Sequence, residues 1–202
     1  MSGAPNKNNK SYLRVILGPM FSGKTSELIK IYRQKAAAGT AVCVINHCDD
    51  KRYDSDKLST HDRVMIPCVQ TELLKNVCLR PSILDAYHVY VINEGQFFTD
   101  LYDTVRKLVQ EYGKEVYVCG LDGDFKMRKF GQILDIIPLA DRVDKLHAAC
   151  AQCGHDAGFT KRLSNEKEQK LIGCTNYVPV CRRCHAGDEK IERVPSKKPE
   201  ST

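Results

Sequence analysis

The chain has 202 residues, room for one substantial domain and a small appendage, and its 42% hydrophobic and 28% charged content is that of an ordinary soluble globule. No run of about 18 apolar residues occurs, which excludes a membrane-spanning helix, and Met1 to Lys10 is too polar for a secretory or transit signal, so the expected compartment is the cytoplasm. The net charge of +6 comes from basic residues spread along the whole chain, which does not decide between nucleotide and nucleic-acid partners.

Residues 1–11 offer too little apolar surface to offset the entropy of ordering and are expected to be disordered. Leu13 to Leu17 is short, β-branched and apolar, a strand. It runs into Gly18-Pro19-Met20-Phe21-Ser22-Gly23-Lys24-Thr25, which fits the phosphate-loop pattern G-x-x-x-x-G-K-[ST]. Behind it, Ser26 to Ala38 places Leu28, Ile31, Tyr32 and Lys35 at helical spacing, and Gly39 ends the helix. A loop leaving a strand and opening a helix lets backbone N–H groups converge on a polyphosphate. Lys24 would then reach the β- and γ-phosphates, and the Thr25 hydroxyl would sit on Mg2+.

Ala41 to Asn46 reads as a strand buried on both faces. From His47 to Arg63 periodicity is lost and the chain turns polar, a stretch long enough to expect a functional role. Val64 to Val69 is expected as a strand, Thr71 to Leu79 as a short helix closed before Pro81, and His88 to Ile92 as a further core strand. Thr99 or Asp100 caps the next helix, with Leu101, Val105, Leu108 and Tyr112 on one face and Gly113 at its end. Glu115 to Cys119 is another strand, Gln132 to Ile137 a helical turn halted by Pro138, and Val143 to Ala149 the last strand. Strands alternating with helices over 12–149 predict an α/β domain, a parallel sheet flanked by helices and carrying the phosphate loop.

Ligands of such sheets sit at the carboxyl ends of the strands. After Ile92 come Asn93 and Glu94; the first could hold a metal-bound water, and the second is a candidate general base or a strand-end carboxylate with a structural hydrogen bond. Cys150-x-x-Cys153 and Cys181-x-x-Cys184 have the spacing of a four-thiolate zinc site, closed and therefore structural rather than catalytic. The 27 residues between the pairs exceed a minimal zinc ribbon and imply an excursion. Cys174, His155 and His185 are secondary ligand candidates, whereas His47, His61, His88 and His147 have no site-like spacing. Cys43, Cys68, Cys78 and Cys119 read as small buried hydrophobes. Phe97, Phe98, Phe125, Phe130 and Tyr177 are core residues taken singly, but their rings could stack on a nucleobase. Residues 150–185 thus form a second, zinc-binding domain, and 186–202 a disordered tail.

These motifs, together with Asp50-Lys51-Arg52-Tyr53, Thr60-His61-Asp62, Glu94 to Phe98, Leu121 to Phe125, Lys129-Phe130-Gly131 and Thr160-Lys161-Arg162, occur in the order seen in type II, cytosolic-type thymidine kinases. The resemblance covers about Leu13 to His185. It implies transfer of the ATP γ-phosphate to the 5′-hydroxyl of thymidine or deoxyuridine, with Mg2+ and a structural zinc ion. By the same resemblance Gly18 to Thr25 and Arg52 bind ATP, Thr25 and, through water, Asn93 serve Mg2+, and Glu94 is the catalytic base. Phe97, Phe125, Phe130, Thr160, Ile172, Gly173 and Tyr177 would bind the nucleoside, the last three on a lasso loop over Leu171 to Tyr177. It further implies a homotetramer with dTTP as feedback inhibitor and neither membrane nor nucleic acid as partner.

Three positions depart from the family pattern. Asn93 stands where Asp is common, Cys174 where a second Gly is common in a lasso one residue shorter, and Lys129 where Pro is frequent. Two other readings remain alongside: a nucleoside- or nucleotide-binding regulator weakened in catalysis by Asn93, and a zinc-ribbon nucleic-acid ATPase.

Overall fold

The computed structural model describes residues 11–50, 57–59, 65–164, 168–169 and 176–187. In chain order the first elements are β1 (Tyr12–Leu17), α1 (Lys24–Ala37), β2 (Val42–His47), β3 (Lys57–Ser59), β4 (Met65–Pro67) and β5 (Val69–Thr71). Next come α2 (Lys75–Cys78), α3 (Pro81–Ala86), β6 (Val89–Ile92), α4 (Leu101–Arg106) and β7 (Glu115–Gly120). The remainder is β8 (Arg142–Lys145), β9 (Ala148–Ala149), β10 (Asp156–Ala157), β11 (Phe159–Arg162), β12 (Tyr177–Val180) and α5 (Arg182–Ala186).

Side chains alternate across a strand, so a strand apolar at successive positions needs a layer on each face. In β1, Leu13, Val15 and Leu17 enter one apolar cluster and Ile16 the other. The same alternation holds in β2, β6 and β7: Cys43, Ile45, Tyr90, Ile92, Val116 and Val118 join the first cluster, and Val44, Val89, Val91, Tyr117 and Cys119 the second. Residues of α2 and α4 complete the first cluster, and α1 packs Leu28, Ile29 and Ile31 into the second. These strands build a six-stranded sheet in the order β5-β2-β6-β7-β1-β8, with every neighbouring pair parallel. All six carboxyl ends therefore lie along one edge.

Three expectations change. The strand expected over Val64 to Val69 divides into β4, which pairs antiparallel with β3, and β5, which joins the edge of the large sheet. Leu58 and Ile66 carry that hairpin into the α1-side cluster, long-range packing that the polar composition around it conceals. Pro138 does not halt a helical turn; it is the second residue of the 3-10 turn Ile137–Leu139, within the first turn where its fixed φ is tolerated and its missing N–H has no intrahelical acceptor to lose. Val143 to Ala149 holds two strands: β8 closes the large sheet, and β9 pairs with β10 in the cysteine-rich region.

Asp100 stands at the N-terminus of α4, yet makes no side-chain cap to that helix's own amides. Its carboxylate accepts instead from the N–H groups of Leu74 and Lys75, at 3.0 and 2.9 Å, and so satisfies the orphan donors at the start of α2. Asp100→Ala is expected to lower unfolding free energy by about 1–3 kcal/mol, measured by urea denaturation, with loosened amide protection at residues 74 and 75.

Candidate active site and cysteine cluster

The phosphate loop leaves β1 through Gly18, at φ 149°, where an added Cβ would lie 2.6 Å from the Leu146 carbonyl oxygen. No side chain fits that approach. Gly23, at φ 84°, occupies the left-handed position before α1, so the helix begins at Lys24 itself. Lys24 Nζ donates to the Pro19 carbonyl at 2.6 Å, while the buried Ser22 Oγ has no hydrogen-bond partner among the described residues. An orphaned hydroxyl inside a lysine-bearing turn fits a loop built for further oxygen ligands.

Thr25 follows Lys24, and its hydroxyl donates to Asn93 Oδ1 at 3.4 Å, which joins the start of α1 to the carboxyl end of β6. The Cys119 thiol donates to the same oxygen at 3.1 Å, and Asn93 Nδ2 donates to Asn46 Oδ1 at 2.9 Å. These partners fix the amide with its oxygen toward Thr25. Asn46 Nδ2 in turn donates to Asp50 Oδ2 at 3.2 Å. Hydroxyl and amide oxygens are the hard donors Mg2+ favours, so the pair fits that ion, with the negative charge left to a nucleotide's phosphates.

Glu94 is 8% exposed and sits at φ 53°, a left-handed conformation that costs a non-glycine residue about 1–3 kcal/mol. Gln96 Nε2 donates to its Oε2 at 2.6 Å, and Gln96 Oε1 accepts from the Leu121 N–H at 2.9 Å. Gly131, at φ 59°, passes so close that a Cβ there would lie 2.0 Å from the Gln96 carbonyl oxygen. The carboxylate is thereby held at the strand end with one oxygen engaged by an amide.

Around this edge the aromatics form two groups. Phe97 meets Phe130 edge-on, with centroids 5.6 Å apart, and His47 packs against both Phe97 and Phe98. Phe125 instead lies 3.9 Å from the guanidinium carbon of Arg162, a buried residue whose Nε also donates to the Tyr177 hydroxyl at 3.1 Å. Thr160, buried on β11, accepts from the Met20 N–H of the phosphate loop at 3.0 Å.

In the cysteine-rich region β11 and β12 pair antiparallel, and Cys150, Cys153, Cys181 and Cys184 converge with all four sulfurs within 4.8 Å of one another. Cys153 and Cys181 sulfurs are 3.7 Å apart, close to the edge of about 3.8 Å for a tetrahedron with zinc–sulfur bonds of about 2.3 Å. Burial opposes ionisation of Cys150, but the amides of Cys181, Gln152 and Cys153 bring its pKa down to about 6. Burial and the three neighbouring thiols push Cys184 up to about 12. Four thiolates at this spacing need a cation among them, and the donor set fits zinc. Neither histidine beside the pairs joins it: His185 Nε2 hydrogen-bonds the Phe125 carbonyl at 3.0 Å, and His155 Nδ1 contacts the Cys153 carbonyl.

The family profile described as thymidine kinase matches residues 11–185. The chain belongs to the thymidine kinase family. It is 43% identical over 175 residues to thymidine kinase a of Arabidopsis thaliana, covering 85% of this chain and 73% of that one. It is 42% identical over 188 residues to the cytosolic thymidine kinase of Bos taurus, covering 92% and 76%. It is 38% identical over 175 residues to the thymidine kinase of Sheeppox virus, covering 86% and 96%.

Of the residues that the family resemblance singles out, the structure brings Thr25 to Asn93, Thr160 to the phosphate loop, and Phe97 to Phe130. Phe125 and Tyr177 meet at Arg162. Arg52, Ile172, Gly173 and Cys174 lie outside the described residues, as does most of the segment named as the lasso. Sequence reasoning assigned no role to Gln96, Arg162 or Asn46 in this thymidine kinase family member, and read Cys119 as a small buried hydrophobe, whereas its thiol also donates to Asn93. The structure buries Arg162 on the same face of β11 as Thr160, a placement that no sequence spacing announced. Purified protein is expected to hold about one zinc ion per chain. Cys184→Ser should release it and open residues 150–184 to protease, measured by elemental analysis and limited digestion; unchanged metal content would exclude the cluster as the site.

Proposed function

We propose that the protein is an ATP-dependent thymidine kinase, moving the γ-phosphoryl group of ATP to the 5′-hydroxyl of thymidine or deoxyuridine. The observation that carries this reading is the Thr25–Asn93 contact, because it draws the phosphate loop onto the strand end that bears Glu94 in a chain of this family. The nucleoside 5′-oxygen attacks the γ-phosphorus as the bond to the β–γ bridging oxygen breaks, and ADP leaves with that electron pair. The proton of the 5′-hydroxyl passes to Glu94. Lys24 exchanges the Pro19 carbonyl for the β- and γ-phosphates, joined by the loop amides of Gly18 to Thr25 and by Arg52. Thr25 and, through water, Asn93 would hold Mg2+, which would supply charge neutralisation at the phosphates.

Phe97, Phe125, Phe130 and Thr160 enclose the pyrimidine in this reading, with Ile172, Gly173 and Tyr177 closing over it as a lasso. Zinc at Cys150, Cys153, Cys181 and Cys184 holds residues 150–185 as a separate structural domain. The cytoplasm is the compartment, in keeping with relatives named cytosolic thymidine kinases. Feedback by dTTP and assembly into a homotetramer belong to the same reading.

Radiolabelled γ-phosphate offered with thymidine, deoxycytidine and water in parallel tests it; label is expected in thymidine monophosphate, and turnover by water or nucleic acid alone would overturn it. Glu94→Gln should lower kcat by about 10²–10⁴-fold while thymidine affinity changes little; equal loss of both would make Glu94 a binding residue. A second reading, a nucleoside-binding regulator, draws on the neutral Asn93 beside Thr25. Asn93→Asp separates the two: a modest change in Mg2+ dependence is expected of an enzyme, and turnover appearing only in the variant is expected of a regulator.

A further inference from the structure

By family resemblance Thr160 is a nucleoside residue, but its hydrogen-bond partner lies in the phosphate loop. The Met20 N–H donates to its Oγ1 at 3.0 Å across 140 residues of sequence, between the loop that follows β1 and a strand of the cysteine-rich region. We propose that Thr160 is a positioning residue for the ATP phosphates: it holds the Met20 peptide, and with it the turn through Phe21, Ser22 and Gly23, in the shape that accepts a polyphosphate before any nucleoside arrives. This role rests on the kinase reading proposed above.

Three observations make Thr160 a firm anchor. It is buried, and a β-branched side chain has few rotamers to lose, so the acceptor stays in place. Its strand is braced from the metal-binding side: Thr160 stands opposite Pro179 in the β11–β12 register, and the Pro179 carbonyl accepts from Ala151 N–H, next to Cys150, at 2.9 Å. The adjacent Lys161 ties the same strand to the end of α5 by donating to the carbonyls of Cys184 and Gly187, at 3.3 and 2.6 Å. The loop needs such a support. Phe21, one residue beyond the anchored amide, holds φ 64°, a left-handed conformation that a non-glycine residue keeps only where its surroundings fix the turn. A loop whose amides are already oriented loses less entropy on binding phosphates, so the gain appears as nucleotide affinity.

The test is calorimetric binding of ADP to the full-length, zinc-loaded protein without nucleoside. Thr160→Val, which keeps the shape and removes the acceptor, is expected to weaken ADP binding about fivefold, whereas Thr160→Ser, which restores it, should stay within about twofold. Equal ADP affinity in Thr160→Val and wild type, with only thymidine binding changed, would overturn the proposal. So would equal losses in the Val and Ser variants. Hydrogen exchange supplies a second arm: the Met20 amide is expected to exchange faster in Thr160→Val than in the wild type, and equal rates would also overturn it. Failure here leaves thymidine phosphorylation by the wild type untouched, while absence of that turnover would count against the kinase reading instead.

Discussion

Between the ends of β6 and β7 the Gln96 side chain makes two hydrogen bonds in opposite senses, donating one to Glu94 and accepting one from the Leu121 amide. An amide side chain does both from two separate atoms, and in a buried place neither group could be left alone without a cost of about 1–3 kcal/mol. The surrounding backbone is shaped to admit it. Gly120 and Gly131 approach Gln96 so closely that a Cβ at either would collide, at 2.2 Å from the side-chain oxygen and 2.0 Å from the main-chain oxygen. The carboxylate at residue 94 therefore has its orientation set by two neighbouring strand ends rather than by its own rotamer preference.

The electrostatics of the same edge are arranged in layers. Lys24 is the charged group of the loop, whereas the residues behind Thr25 are neutral: Asn93, Asn46 and Cys119 linked by amide and thiol hydrogen bonds, with Asp50 at the far end of the chain of contacts. Such a chain orients an oxygen without placing a full charge beside it. A phosphate-bound cation would then meet a dipole fixed by its partners, and its affinity would depend more on the nucleotide than on the protein.

Much of this was legible in the sequence, for identifiable reasons. β1, β2, β6 and β7 are apolar on both faces and bounded by glycine or polar turns, and the phosphate-loop spacing locates the start of α1 to within two residues. Two Cys-x-x-Cys pairs announce their own convergence, because the short spacing has few other uses in a chain of this kind. The β3–β4 hairpin was only half legible: Ile66 lies in the apolar run read as a strand, but Leu58 stands alone among polar residues, and the pairing of the two depends on contacts distant in sequence. Asp100 was recognised as a helix-start residue, but local pattern could not reveal that its carboxylate accepts from backbone amides at the start of α2 and not from those of α4. Gln96 and Arg162 carry no spacing signal, since their partners come from separate elements.

The bond from Lys24 to the Pro19 carbonyl closes the loop into a ring on itself. A charge-assisted hydrogen bond of this kind has a net worth of about 1.5–3 kcal/mol, and an anion that takes the ammonium must displace it. A chloride ion or a single phosphate has few oxygens or none with which to offset that loss. A chain of linked phosphates can engage the ammonium and several loop amides together, so selection for multivalent anions begins in the shape of the loop, ahead of any contact with a base or sugar.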